Sequence, residues 1–297
     1  MVGKLPTAVF RSRKAPATHD TCSLGSIMSV LIQISDTHFG TERPSVVDAL
    51  LQFINETSPE ILVLSGDITQ RARRRQFRSA RKFLDQLRVS SVISLPGNHD
   101  IPLFNLPARL FFPYSNYQRA FGSNLEPYSD QAAFMVIGVN TTRPRRHIDG
   151  EVSTEQIVRV ADRLRAAATE QIRIVVTHQP VHVIRASDEK NLLHGHEAAV
   201  RQWAKAGADM IMGGHIHLPY VRPLSDRFHD LPRRIWAVQA GTAVSHRVRP
   251  GAPNSINVVR RTPADKFACA VERWDYGAQE RRFVLVHSER LELDRRL

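Results

Sequence analysis

The sequence predicts an α/β fold with layers in the order helix, sheet, sheet, helix. Three observations predict it. Short apolar runs alternate with helix-period segments through the first two thirds of the chain, the pattern that builds a largely parallel sheet covered by helices. The last third changes to strand-like runs with few helices between them, which predicts a second, more antiparallel sheet packed on the first. A chain of 297 residues that is 42% hydrophobic can bury a substantial core. No internal repeat, low-complexity tract or Gly/Ser linker divides it, so residues 28–297 are expected to form a single domain.

Taken in order, Val30 to Ser35 is a run of strand formers that ends in the polar group Asp36, Thr37 and His38. Pro44 opens a segment in which Val46, Val47, Leu50, Leu51 and Ile54 recur at helical spacing. Ile61 to Leu64 is a second strand, stopped by Ser65, Gly66 and Asp67. A basic helix follows over roughly 73–88, with Phe77, Phe83, Leu84 and Leu87 turned to the core. Its leading arginines, Arg71 and Arg73 to Arg75, are read as a solvated face. Ser91 to Leu95 is a third strand, stopped by Pro96, Gly97, Asn98, His99 and Asp100.

Residues 101–127 are irregular, and Phe104, Phe111, Phe112 and Tyr114 within them are expected to close a core beneath a long loop. Strands at Ala133 to Val139 and Ile172 to Val176 flank a capped helix from Ser153 to Ala168. A helix at Glu197 to Ala206 and a strand at Asp209 to Met212 lead to Gly213, Gly214, His215, Ile216 and His217. Further strands are predicted at Ile235 to Ala240, Ile256 to Arg260, Phe267 to Trp274 and Arg282 to His287.

Charge and cysteine content narrow the classes of function. The net charge of +12 favours anionic partners, but 29 carboxylates are interspersed, so charge does not choose among metabolites, nucleic acid and membrane. The longest apolar run, Ala132 to Val139, is far too short to span a bilayer. Cys22 and Cys269 form neither a metal-ligand pair nor a disulfide framework, which suits a reducing compartment and a cytoplasmic location. Residues 1–27 carry Lys4, Arg11, Arg13 and Lys14 with no apolar stretch after them; they are read as a disordered extension rather than a secretory signal.

Five successive predicted strands end in groups that bind metals: Asp36 and His38, then Asp67, then Asn98 to Asp100, then His178, then His215 and His217. Ligands of parallel α/β sheets gather at the carboxyl ends of strands, and one parallel sheet would converge all five groups on one rim. Glycines at 66, 97, 213 and 214 let the backbone turn tightly there. Carboxylate, imidazole and amide oxygen without thiolate suit divalent Mn, Fe, Zn or Co. Two such cations need a shared anionic bridge, and together they activate water and neutralise charge on a phosphoryl group. Each motif alone has an ordinary explanation, such as a turn, a helix N-cap or a surface histidine. Five in order, each at a strand terminus, form a joint signal.

These residues, from Asp36 and His38 through Asp67, Gly97 to Asp100 and His178 to His215 and His217, resemble the signature of the calcineurin-like metallophosphoesterase superfamily over residues 30–218. The resemblance implies a four-layer αββα sandwich of two mixed sheets flanked by helices, with a dinuclear site at the strand ends. It implies that Asp36, His38 and His217 hold one divalent transition metal ion and Asn98, His178 and His215 the other, with Asp67 bridging. His99 is then the catalytic group that steadies the phosphate and protonates the leaving oxygen, and Asp100 orients His99. Manganese or iron is expected, with zinc or cobalt as alternatives.

Within the superfamily the chain is similar to the compact bacterial class III cyclic-nucleotide phosphodiesterases. This implies hydrolysis of a small phosphodiester by a hydroxide held between the two ions. Alternatives are a phosphomonoesterase, a pyrophosphatase of a nucleotide-linked lipid precursor, and a non-catalytic scaffold of the same fold. The expected partner is a phosphorylated small molecule, walled by segments 101–116 and 181–196. Nucleic acid is not expected, because no separate domain or interleaved aromatic-basic stretch grips it. His182, His194 and His196 fit no motif.

Overall fold

The computed structural model describes residues 28–262 and 264–295; the extension expected at residues 1–27 lies outside them. Strand β1 (Ser29–Ile34) organises the first sheet. On one edge it pairs parallel with β2 (Ile61–Leu64), which pairs parallel with β3 (Ser91–Ser94). Its side chains alternate as strand geometry requires. Val30, Ile32 and Ile34 join the cluster under the helices, whereas Leu31 joins the cluster between the sheets.

Helix α1 (Pro44–Thr57) starts on Pro44, whose missing N–H costs nothing in the first turn, and ends at Ser58 in a left-handed cap. Its Val46, Leu50 and Ile54 and the Phe77 and Phe83 of α2 (Arg74–Leu84) cover the outer face of this sheet. Helices α3 (Leu106–Phe111) and α4 (Ser115–Phe121) occupy the stretch that the sequence presents as irregular, and strand β4 (Tyr128–Asp130) follows it.

The second sheet runs β4, β5 (Phe134–Gly138), β6 (Ile172–Val176), β7 (Met210–Gly213), β9 (Trp236–Gln239), β8 (Tyr220–Pro223). Strands β5, β6, β7 and β9 are mutually parallel. Helices α5 (Thr154–Arg165) and α6 (His196–Lys205) cover its outer face, where Trp203 is fully buried. Ser153 caps α5: its hydroxyl accepts from the Gln156 amide, and its own amide donates to the Gln156 side chain. The result is the helix, sheet, sheet, helix order, with two mixed six-stranded sheets.

The partition of strands differs from the sequence expectation. The C-terminal strands do not build the second sheet. Strands β10 (Ser255–Arg261), β11 (Ala268–Gly277) and β12 (Arg282–Glu292) extend the first sheet in antiparallel fashion, and only β8 and β9 enter the second. The free edge of β1 carries backbone donors and acceptors that need partners, and β10 supplies them. The five motif-bearing strands are therefore divided, with β1, β2 and β3 in one sheet and β6 and β7 in the other.

A polar rivet holds the two sheets together beneath the motif loops. The buried Gln33 amide donates to Ser65 Oγ and to the Gly213 carbonyl, both at 3.0 Å. Asn257 Nδ2 donates to Gln33 Oε1 at 2.9 Å and to the Gln239 carbonyl at 3.2 Å. Among the described residues no helix is long and apolar enough to cross a membrane.

Replacing Gln33 by Leu keeps the volume but removes the buried partner of Ser65 and one of the two acceptors of Asn257. Gln33→Leu is expected to lower unfolding stability by about 1–3 kcal/mol, read as a lower urea midpoint at unchanged m-value. An unchanged midpoint would show that the rivet does not hold the sheets together.

Candidate metal centre

The turns that end β1, β2 and β7 use backbone conformations that side chains seldom adopt. Asp36 (φ 51°), His38 (φ 43°), Asp67 (φ 48°), His215 (φ 73°) and His217 (φ 54°) all lie in the left-handed region. Left-handed backbone costs on the order of 1–3 kcal/mol per residue outside glycine and persists only where the surroundings enforce it. Hydrogen bonds enforce it here. The Asp36 amide donates to the Gly66 carbonyl and the His38 amide to the Asp67 carbonyl, both at 3.0 Å, while the His215 amide donates to the Asp36 carboxylate. Gly66 (φ +100°) cannot carry a side chain, because a methyl group there would strike the His178 ring.

Donor atoms from both sheets converge on two adjacent points. At the first, His217 Nε2 lies 3.2 Å from Asp36 Oδ1 and 3.1 Å from His38 Nε2, which is 3.7 Å from Asp67 Oδ2. At the second, Asn98 Oδ1 lies 3.2 Å from His178 Nε2 and 3.1 Å from His215 Nδ1, and His178 Nε2 is 3.3 Å from Asp67 Oδ1. The two oxygens of Asp67 thus face different groups. The structure brings together all seven residues that the sequence presents as ligands; His182, His194 and His196 join no such group.

The donor set fits a pair of divalent cations. The imidazoles of His178 and His217 each donate Nδ1–H to a backbone carbonyl, that of Ser65 at 2.9 Å and that of Arg247 at 2.6 Å. This fixes the tautomer and turns each Nε2 lone pair inward, the usual support for a metal-binding histidine. His38 is buried and its Nδ1 has no hydrogen-bond partner among the described residues.

Burial and mutual charge shift the donor groups strongly. Burial opposes ionisation of Asp36, but the imidazoles of His217 and His178 prevail and hold it at about 2. Burial likewise opposes ionisation of Asp67, and His178 and His99 hold it well below the usual carboxylate range. Burial pushes His38 down to about 3; burial, followed by the neighbouring His178, pushes His215 down to about 4. His178 runs the other way: the Asp67 carboxylate overcomes burial and raises it to about 9. Asp36 raises His217 in the same manner.

His99 sits at the mouth. Its amide donates to Asp67 Oδ1 at 2.8 Å, and its ring Nδ1 donates to the Gln70 carbonyl at 2.9 Å, leaving Nε2 to face the cleft. The expected contact between Asp100 and the His99 ring is not made. Asp100 is fully buried, and its oxygens accept from the amides of Ile68, Thr69 and Gly97 and from the Thr69 hydroxyl. Burial and the charge of Asp67 raise Asp100 to about 6. Its role is to tie the turn after β3 to the turn after β2, because the short helical turn at 98–100 aims it back into the protein. The Gln70 carbonyl orients His99.

Arg247 is the residue that motif reading misses. Its Nη1 lies 3.3 Å from His99 Nε2 and 3.1 Å from Gln70 Oε1. It stands on the loop between β9 and β10, far from any strand-end motif, and nothing in its local sequence distinguishes it from the other arginines. Arg247 and His99 line a cleft of about 290 Å³ above the donor groups, together with Asp188 and Asn191 from segment 181–196. Ile101 and Leu103 line an adjoining recess with His99, so both expected wall segments do border the site.

The exposed apolar loop is a second correction. Phe104, Phe111 and Phe112 lie on the surface rather than in a core, and it is Arg109 of the same segment that turns inward, donating to the carbonyls of Pro144 and Arg146. Tyr114 is half-buried, its hydroxyl paired with Thr142 Oγ1 at 2.8 Å.

Residues 29–219 match the family model described as calcineurin-like phosphoesterase, and the chain belongs to that family. Among solved structures it is similar to purple acid phosphatase PPD1 from yellow lupin (Lupinus luteus) seeds, with a TM-score of 0.66 and 13% identity over 90% of this chain. The chain spans 54% of that protein's length. A dimetal phosphatase from Danio rerio aligns with a TM-score of 0.63 and 14% identity, over 90% of this chain and 99% of its own. PhoD aligns with a TM-score of 0.63 and 10% identity, over 90% of this chain and 70% of its own. At these identities the likenesses establish the fold. No curated protein matches the chain by sequence.

Because His178 is raised to about 9 and His217 is also raised, uptake of divalent cations near pH 7 must displace protons. Affinity for Mn²⁺ is therefore expected to rise with pH toward about 9 and to weaken as pH falls. Calorimetric titration in buffers of different ionisation enthalpy should show proton release at pH 7. Identical heats in all buffers would contradict the charge distribution.

Proposed function

We propose that this chain is a metal-dependent phosphoester hydrolase acting on a small phosphodiester such as a cyclic nucleotide. Asp67 carries the reading: its two oxygens face two separate nitrogen and oxygen donor groups, the disposition of a carboxylate shared between two ions. Asp36, His38 and His217 would hold one ion, and Asn98, His178 and His215 the other. Bound there, two divalent cations acidify water and neutralise developing charge on a phosphoryl group. Manganese or iron suits the imidazole and carboxylate set best.

The remaining work falls to the chain. His99 Nε2, held toward the cleft by the Nδ1–H bond to the Gln70 carbonyl, donates a proton to the leaving oxygen. Arg247, beside that nitrogen, holds a phosphate oxygen. Of the two arginines lining the cleft, Arg249 is neutralised by both oxygens of Asp188, and Arg247 has no carboxylate partner among the described residues. One free guanidinium beside an ion pair suits a singly charged diester better than a dianionic monoester. A complete donor set with its supporting hydrogen bonds also speaks against a scaffold. The exposed aromatic segment next to the cleft favours one second reading, cleavage of the pyrophosphate bond of a nucleotide-linked lipid.

Mn-loaded protein is expected to cleave bis-p-nitrophenyl phosphate faster than p-nitrophenyl phosphate; the reverse preference would replace the diesterase reading with a monoesterase. His99→Ala should retain its manganese and lose about 10²–10⁴-fold in turnover, with metal content and rate measured on the same sample. Undiminished turnover would remove His99 from the mechanism.

A further inference from the structure

Segment 102–112 leaves the mouth of the site and carries large apolar side chains into solvent. Phe104 is 80% exposed, Leu106 68%, Leu110 64%, and Phe111 and Phe112 68% each. Singly exposed apolar residues are ordinary, but five of them within nine positions form a patch that water disfavours. The segment is anchored. Asn105 Oδ1 accepts from the Ala108 amide at 3.1 Å, and the Arg109 guanidinium donates to the carbonyls of Pro102, Pro144 and Arg146 at 3.1, 2.7 and 2.8 Å. The apolar tip is thus held outward by a built scaffold.

The surroundings of the tip are cationic. Residues 69–84, 101–125 and 141–148 touch one another through Arg71 stacked 5.4 Å from the Phe104 ring, Asn116 bonded to the Ala72 carbonyl, and Arg109. These three segments contain twelve Lys and Arg and no Asp or Glu, although the whole chain mixes 41 basic with 29 acidic residues. Arg81 and Arg146 reach out of the segments to Asp85 and Glu151. Arg71, Arg73, Arg74, Arg75 and Arg145 are exposed, with no carboxylate partner among the described residues.

Three occupants compete for such a surface. A second copy docked about a two-fold axis would press the same cations against each other. Single-stranded nucleic acid would stack on the aromatics, but Leu106 and Leu110 offer no stacking face. Leucine and phenylalanine at a projecting tip, ringed by arginine, match the two layers of an anionic lipid surface: hydrocarbon below, phosphate above.

We propose that segment 102–112 is a membrane-docking element, which seats its apolar tip in an anionic bilayer while the flanking arginines pair with lipid phosphates. Ile101 and Leu103 line the recess beside His99, so docking brings the mouth of the site to the lipid surface. Docking does not depend on which phosphoester is cleaved.

The test is flotation of the full chain with vesicles of phosphatidylcholine alone and with about 30 mol% phosphatidylglycerol. Wild type is expected to float with the anionic vesicles. The variant Leu110→Ser/Phe111→Ser/Phe112→Ser should lose at least about tenfold in partitioning at an unchanged melting temperature. Arg75→Glu/Arg78→Glu, away from the apolar tip, should weaken binding in low salt. The proposal is overturned if wild type does not float, if the Ser variant floats equally well, or if neutral and anionic vesicles bind alike. Tighter binding to a single-stranded oligonucleotide than to vesicles, or a wild-type dimer that the Ser variant abolishes, overturns it in favour of those occupants.

Discussion

Two sheets that share no strand must present their strand ends to each other within hydrogen-bond distance, and the Asp67 carboxylate stands at that seam. One of its oxygens faces His38 on its own sheet, and the other faces His178 on the opposite one. This holds only while the sheets keep register. Leu31, Val63, Val136, Val176 and Met212 pack between them without polar groups, and such a layer alone would tolerate sliding. Gln33 and Asn257 supply the directional contacts that fix the offset. The Nδ1–H of His178, bonded to the Ser65 carbonyl, crosses the same seam. The core and the site are therefore one mechanical unit, joined by buried amides.

The donor cage accumulates features that are individually unfavourable. Five of its members have left-handed backbones, two carboxylates are buried close together, and His38 and His217 bring their Nε2 atoms within 3.1 Å of each other. The basicity of the imidazoles is split accordingly: His178 and His217 are raised while His38 and His215 are depressed. Neighbouring histidines thus shift in opposite directions, because burial prevails at His38 and His215 while the carboxylates of Asp67 and Asp36 prevail at His178 and His217. Such strain is characteristic of a site shaped for an occupant rather than for its own stability.

The surface divides in a comparable way. Around most of the chain acids and bases alternate and pair, as Arg159 does with Glu126 and Arg227 with Glu189. Around segment 102–112 Arg71, Arg73, Arg74, Arg75 and Arg145 have no carboxylate partner among the described residues. Arg109 spends its guanidinium on three carbonyls to hold an apolar segment in water, and the neighbouring arginines face outward. A chain optimised only to fold has no use for that arrangement, and it lies on the same side as His99 and Arg247.

By itself the sequence determined the elements and the donor residues. Apolar runs with strand-forming residues located β1, β2, β3, β6 and β7, since a buried strand needs little beyond a short apolar stretch and a stop. The donor groups followed at once, because each is adjacent in sequence to such a stop. Only the tertiary structure decided which sheet each strand enters, since pairing depends on which backbone edges remain open, and β10 finds the edge of β1 across more than two hundred residues. The same reason hid Arg247, brought to His99 by a loop that carries no periodic signal. It also corrected Asp100, whose side chain turns inward to backbone amides although its place in the sequence is beside His99. The aromatics of segment 101–116 were legible as apolar but not as exposed, because exposure depends on what else fills the space beneath them. Residue type sets what a side chain can do; only packing across long sequence separations sets what it meets.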